Sequence, residues 1–217
     1  MNKRITLIAG HYGSGKTNIA VNYALWLRRQ GLAVTVADLD IVNPYFRTKD
    51  SEQELTGAGI DVISLPFANS NVDLPSLPSS VYGLVQRKDR TVVMDIGGDD
   101  RGAYALGRFA PYIREENDFD LFYVVNFYRP LAQTATDAFA VLREIEAAEG
   151  LPFTAIINNS NLGAETTPED VAATFGKTEE LCAQCGLPLA FTSVDERIAA
   201  DVAAENVFPL KLQKHNY

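Results

Sequence analysis

The chain has 217 residues, 47% of them hydrophobic and 22% charged, which is enough apolar side chain for one globular domain with a buried core. A formal charge of −9 and a pI near 4.7 argue against a broad basic face for nucleic acid or an anionic membrane. The sequence contains no apolar run long enough to span a bilayer and no signal-peptide layout before its first apolar stretch, so a cytoplasmic protein is expected.

The run Arg4-Ile5-Thr6-Leu7-Ile8-Ala9 is apolar and β-branched, as a buried strand requires, and Asn18 to Gln30 carries Ile19, Ala20, Tyr23, Ala24 and Leu27 at helical spacing. Between them stands Gly10-His11-Tyr12-Gly13-Ser14-Gly15-Lys16-Thr17, a full match to G-x-x-x-x-G-K-[ST] in the strand-loop-helix setting that this motif needs. Glycines at 10, 13 and 15 let the backbone approach an anion closely, so that successive N–H groups and the helix start at Asn18 point at phosphate oxygens. Lys16 supplies a cation for the β- and γ-phosphates, and Thr17 a hydroxyl for Mg²⁺.

Gly31 reads as the helix stop, and Leu32 to Ala37 as a second strand that delivers Asp38 and Asp40 at its carboxyl end. Acids two apart on a strand point the same way, so both are candidates for a metal or a water; the alternative is a pair of turn residues. Pro44 then breaks the strand, a helix is predicted over 48–56, and Arg47 either reaches phosphate or pairs with Asp50. Ile60 to Ile63 forms a third strand. Residues 65–80, with three prolines and several Asn and Ser, read as a long irregular loop that covers the site, binds a partner or simply packs on the surface.

Thr91-Val92-Val93-Met94-Asp95 is an apolar strand ending in an acid, the pattern that holds Mg²⁺ through its water shell downstream of a phosphate loop. Asp95-x-x-Gly98 has the spacing of a switch segment whose glycine amide senses the γ-phosphate. Asp99, Asp100 and Arg101 follow, placed to touch substrate or to cap a helix running to about Glu115. The next predicted elements are a strand over 119–126, a helix opened by Pro130 and running to about Glu149, and a strand over 154–157. That last strand leads into Asn158-Asn159-Ser160-Asn161, a polar cluster at the position where a base is read. It lacks the lysine and aspartate of N-K-x-D, which favours adenine; the alternative is a simple asparagine turn.

Thr167, Pro168 and Asp170 form a helix entry, and the predicted helix continues to Cys182-Ala183-Gln184-Cys185 and stops at Gly186. A C-x-x-C pair at a helix C-terminus, with no second pair, reads as free cysteines, or as half of a site shared across a dimer. Leu187 to Thr192 is the last predicted core strand and Asp195 to Ala204 a final helix. The tail from Val207 to Leu212, broken by Pro209, packs as an extended piece.

Gly10-x-x-Gly13-x-Gly15-Lys16-Thr17, Asp38-Leu39-Asp40 and Asp95-x-x-Gly98 together resemble the MinD/ParA class of P-loop ATPases, which also includes the nitrogenase iron protein and the CobQ/CobB synthetase domains. The stretch from Asp38 to Arg47 is further similar to a group of bacterial ATP-binding proteins of that class. The resemblance implies a three-layer α/β sandwich with a mostly parallel sheet, ATP and Mg²⁺ as ligands, an ATP-dependent homodimer, and Asp40 orienting the attacking water. Asp38, Asp40, Asp95 and Thr17 are the implied metal-side residues. Members that dimerise around ATP carry a lysine where this chain has His11 and a glycine where it has Tyr12; an imidazole does not reproduce a permanent cation reaching across an interface.

Three functions remain open on this reading. The first is a slow Mg²⁺-dependent ATPase that signals nucleotide state to a protein partner. The second is an enzyme that uses ATP to activate a small carboxylate- or phosphate-bearing substrate, as dethiobiotin synthetase relatives do, with Asp99, Asp100, Arg101 and Arg129 near the ligand edge. The third, a module tethered to DNA or membrane, runs against the acidic balance.

Overall fold

The computed structural model describes residues 3–39, 49–64, 83–84, 86–97, 106–107 and 109–212, with backbone only at 49–51 and 64. Eight strands among these residues form one parallel sheet: β1 (Ile5–Ala9), β2 (Val34–Leu39), β3 (Asp61–Ser64), β4 (Thr91–Ile96), β5 (Phe119–Val125), β6 (Ala155–Asn158), β7 (Leu189–Asp195) and β8 (Val207–Leu210). Their order is β3-β2-β4-β1-β5-β6-β7-β8. The first strand therefore lies inside the sheet, with β4 on one side and β5 on the other. Such a reversal of strand order opens a crevice at the carboxyl ends of the strands.

Both faces of the sheet are covered, which is why the strands read as near-continuous apolar runs. Alternation along β1 sends Ile5, Leu7 and Ala9 to one core and Ile8 to the other. The first core is closed by α3 (Ala110–Glu116), α4 (Ala135–Glu149) and α6 (Phe175–Cys185), through Phe109, Ile113, Ala138, Leu142 and Leu181. The second is closed by α1 (Lys16–Arg29) and α2 (Lys49–Gly57), through Ile19, Ala20, Tyr23, Leu27 and Leu55. The expected three-layer α/β sandwich is thus the observed architecture.

Four local expectations are corrected. Pro130 opens only a short 3-10 turn, Pro130–Ala132, and α4 starts at Ala135. Thr134 takes the cap, its Oγ1 accepting from the Asp137 N–H, and a capping side chain sets the helix start more strongly than the proline upstream. The helix entered at Thr167 has the expected capping box with Asp170, but it ends after α5 (Pro168–Ala172). There Thr174 turns inward, donating to the Val171 carbonyl at 2.7 Å and accepting from Asn158 at 3.0 Å, so α6 begins as a separate helix.

Strand β7 continues to Asp195, and the helix predicted over 195–204 reduces to a 3-10 turn at Ala199–Asp201. Asp195 Oδ1 accepts from the Arg197 N–H at 3.0 Å, a local side-chain bond that competes with a helical start. The tail Val207–Leu210 does pack extended, as an eighth strand whose Pro209 pairs in register with Val194 at the sheet edge, where a missing N–H is tolerated.

Candidate functional site

The site is assembled at the carboxyl edge by β1, β2, β4 and the start of α1. In register, Ile8 of β1 and Asp38 of β2 both stand opposite Asp95 of β4. Asp38 and Asp95 therefore lie side by side on the α1 face of the sheet, 4% and 0% exposed. From the first turn of α1, the Thr17 hydroxyl donates to Asp95 Oδ2 at 2.6 Å. The spacing of these residues in sequence, 78 apart, is closed by the parallel pairing of β1 with β4.

Between β1 and α1 the chain makes a tight loop. Gly10, at φ 154, passes so close to the Val124 carbonyl of β5 that a Cβ would collide with it. Gly15, at φ 89, precedes the helix, and a Cβ there would run into the Asn159 amide. The α1 helix starts with no side-chain cap and no acid in its first turn, leaving its N–H groups and positive dipole end for an anion. Lys16, 6% exposed, folds over the loop and donates to the His11 carbonyl at 3.3 Å. The Ser14 hydroxyl is buried with no hydrogen-bond partner among the described residues.

The loop is held from behind by the polar turn after β6. Asn159 donates through Nδ2 to the Ser14 carbonyl at 2.6 Å and accepts at Oδ1 from the Ser193 hydroxyl at 2.6 Å. Asn158 is fully buried, donating to Thr174 and accepting from the N–H and hydroxyl of Ser160. The two asparagines read as base contacts thus turn their side chains into the protein, and Asn159 is a brace for the phosphate loop. Asn161, partly exposed, is locked by its own turn, donating to the Asn159 carbonyl and accepting from Gly163 N–H.

Beside this turn a concavity is lined by Asn161, Thr166, Val171, Ser193, Asp195 and Leu210, among others. Burial alone would raise the Asp195 carboxyl, but the hydrogen bonds from the Arg197 guanidinium and N–H outweigh it and hold it below the usual range. Sequence reasoning missed Ser193 and Asp195; the polar end of a strand at the ligand edge, Thr192-Ser193, was the available signal.

Of the residues expected at the site, Gly10, His11, Tyr12, Gly13, Ser14, Gly15, Lys16, Thr17, Asn18, Asp38, Asp95 and Asn159 converge here. Asp40, Arg47, Gly98, Asp99, Asp100, Arg101 and the 65–80 loop lie outside the described residues. Cys182 and Cys185 are free, and burial pushes the Cys182 thiol up to about 11, against a reactive pair. No cluster of three His, Cys, Asp or Glu that could hold a metal is present among the described residues. Hydroxyl and carboxylate oxygens do suit Mg²⁺, which keeps waters and phosphate oxygens as most of its shell and needs no protein cage. Among the described residues, no helix is long and apolar enough to cross a membrane.

A parallel sheet flanked by helices, with G-x-x-x-x-G-K-T joining β1 to α1 and an acid at the end of β4, defines the P-loop NTPase fold. Solved structures agree on the fold. The signal recognition particle receptor FtsY from Elizabethkingia anophelis superposes with a TM-score of 0.60 at 19% identity, over 88% of this chain and 59% of that one. The cell division protein ftsY of Thermotoga maritima gives 0.62 at 20% identity, over 88% and 62%. The signal recognition particle 54 kDa protein from Aeropyrum pernix in complex with GDP gives 0.57 at 18% identity, over 88% and 41%. The chain thus spans about six tenths of the length of the FtsY structures it matches. No protein-family model and no curated protein sequence matches it.

Proposed function

We propose that the chain is an ATP-binding protein and a slow Mg²⁺-dependent ATPase of MinD/ParA type, whose segments after Asp38 and Asp95 report nucleotide state to a partner. The observation that carries this reading is the bond from the Thr17 hydroxyl to Asp95, with Asp38 in register alongside, at the mouth of an anion-ready loop. Lys16 balances charge on the β- and γ-phosphates, and the loop amides and the α1 terminus hold the β-phosphate. Thr17, Asp38 and Asp95 are the residues that would hold Mg²⁺, which would supply charge neutralisation on the phosphates. Asp40 orients a water for attack on the γ-phosphorus; the new P–O bond forms as the bond to the bridging oxygen breaks, the water's proton passes to the phosphate that forms, and ADP leaves.

Adenine is favoured by the concavity beside β6. Reading guanine's N1 and N2 hydrogens takes an acceptor carboxylate, and the carboxylate lining this concavity, Asp195, is bonded to Arg197 at 2.6 Å. The fold is shared with a protein crystallised with GDP, so GTP is the competitor to measure. The test is phosphate release with and without Mg²⁺. Wild type should turn over slowly and only with the metal, Thr17→Val should bind nucleotide with its Mg²⁺ dependence lost, and Mg²⁺-independent turnover by wild type would remove the assignment.

A further inference from the structure

We infer that Arg129 is a nucleoside-side clamp, its guanidinium plane covering the purine of the nucleotide held by the phosphate loop; the inference rests on the nucleotide-binding reading above. Arg129 is exposed, and its Nε donates to the Gly13 carbonyl at 3.0 Å, across 116 residues of sequence. That is its one side-chain hydrogen bond among the described residues, and no carboxylate among them pairs with it. In the peptide joining Gly13 to Ser14, the Ser14 N–H donates to the His11 carbonyl at 3.1 Å. The N–H and C=O of a trans peptide point in opposite directions, so the Gly13 carbonyl faces away from the turn that the loop closes on itself. A side chain bonded to that carbonyl reaches the loop from outside that turn.

The backbone fixes from which side. Arg129 precedes the Pro130–Ala132 turn in extended geometry, and its N–H donates to the Asn126 carbonyl at 3.0 Å. That connection is fastened to the polar turn after β6, since the Phe127 N–H donates to the Ser160 hydroxyl at 3.0 Å and the Asn126 amide to the Asn161 carbonyl at 3.3 Å. Asn161 and Ser160 line the concavity that the nucleotide-binding reading assigns to the base. The guanidinium is therefore pinned through Nε to the loop, while the connection that carries it is tied to the turn lining the concavity. A planar guanidinium stacks on a purine, whereas the lysine ammonium has no plane to offer.

The experiment is competition binding of MgATP, MgADP and inorganic tripolyphosphate to wild type, Lys16→Ala, Arg129→Ala and Arg129→Lys. Arg129→Ala should weaken ATP and ADP by the same factor, about tenfold, and leave tripolyphosphate within about twofold. Arg129→Lys should not restore the loss. Unchanged ATP affinity in Arg129→Ala overturns the clamp, and so does a parallel loss for tripolyphosphate, which would make Arg129 a prop of the loop or a phosphate ligand. Recovery in Arg129→Lys also overturns it, because charge alone would then suffice. The underlying reading fails separately, if wild type binds neither ATP nor tripolyphosphate or if Lys16→Ala binds them as well as wild type.

Discussion

Glu149, at the end of α4, gives a stability prediction that can be worked through. It is 1% exposed, and its Oε2 has no hydrogen-bond partner among the described residues. Burial pushes its carboxyl up to about 8 from 4.5, with the Lys16 charge pulling the other way. The folded protein then keeps this proton up to about pH 8 while the unfolded chain releases it near 4.5. Between those values the native state binds more protons, so stability is lost as pH rises, and the loss is complete above the folded pKa. At about 1.4 kcal/mol per unit, the window from 4.5 to about 8 amounts to about 5 kcal/mol. Glu149→Gln carries no titrating group. Urea unfolding from pH 5 to pH 9 should show wild type losing stability relative to the variant across that window, by several kcal/mol at its upper end. Parallel pH profiles for the two proteins would refute the reasoning.

Other consequences are smaller in scope. Asn159→Ala removes the brace between the phosphate loop and β7, leaving the Ser14 carbonyl without that donor; a destabilisation of about 2 kcal/mol is expected, and an unmoved urea midpoint would contradict it. Asp40→Ala should bind ATP as wild type does and lose hydrolysis, whereas normal turnover would remove Asp40 from the mechanism. With its thiol held up to about 11, Cys182 should react with an alkylating reagent at neutral pH far more slowly than free cysteine, and the double Cys→Ser variant should bind nucleotide unchanged.

The phosphate loop, the strand ending in Asp95 and the layer order were legible because each rests on local chemistry: glycines before a helix, apolar runs ending in acids, and helical periodicity on either side. The order of the strands was not, because nothing local says that β1 pairs with β4 and β5; that pairing is what carries Thr17 to Asp95. The roles of Asn158 and Asn159 were legible as polar residues at the right edge but not as inward braces, since only the approach of β7 supplies Ser193 and only the break before α6 supplies Thr174. The helix predicted after Asp195 failed for a related reason. Its sequence is compatible with a helix, but Asp195 is committed to Arg197, and the chain turns back to add β8.

The central claim is that this loop binds ATP in preference to GTP with Mg²⁺ present, and calorimetric titration of both nucleotides into wild type and Lys16→Ala tests it most directly. The account predicts that wild type binds ATP about tenfold or more tighter than GTP and that Lys16→Ala binds neither. GTP binding as tight as ATP would contradict the adenine assignment, and unchanged ATP binding by Lys16→Ala would contradict the site itself.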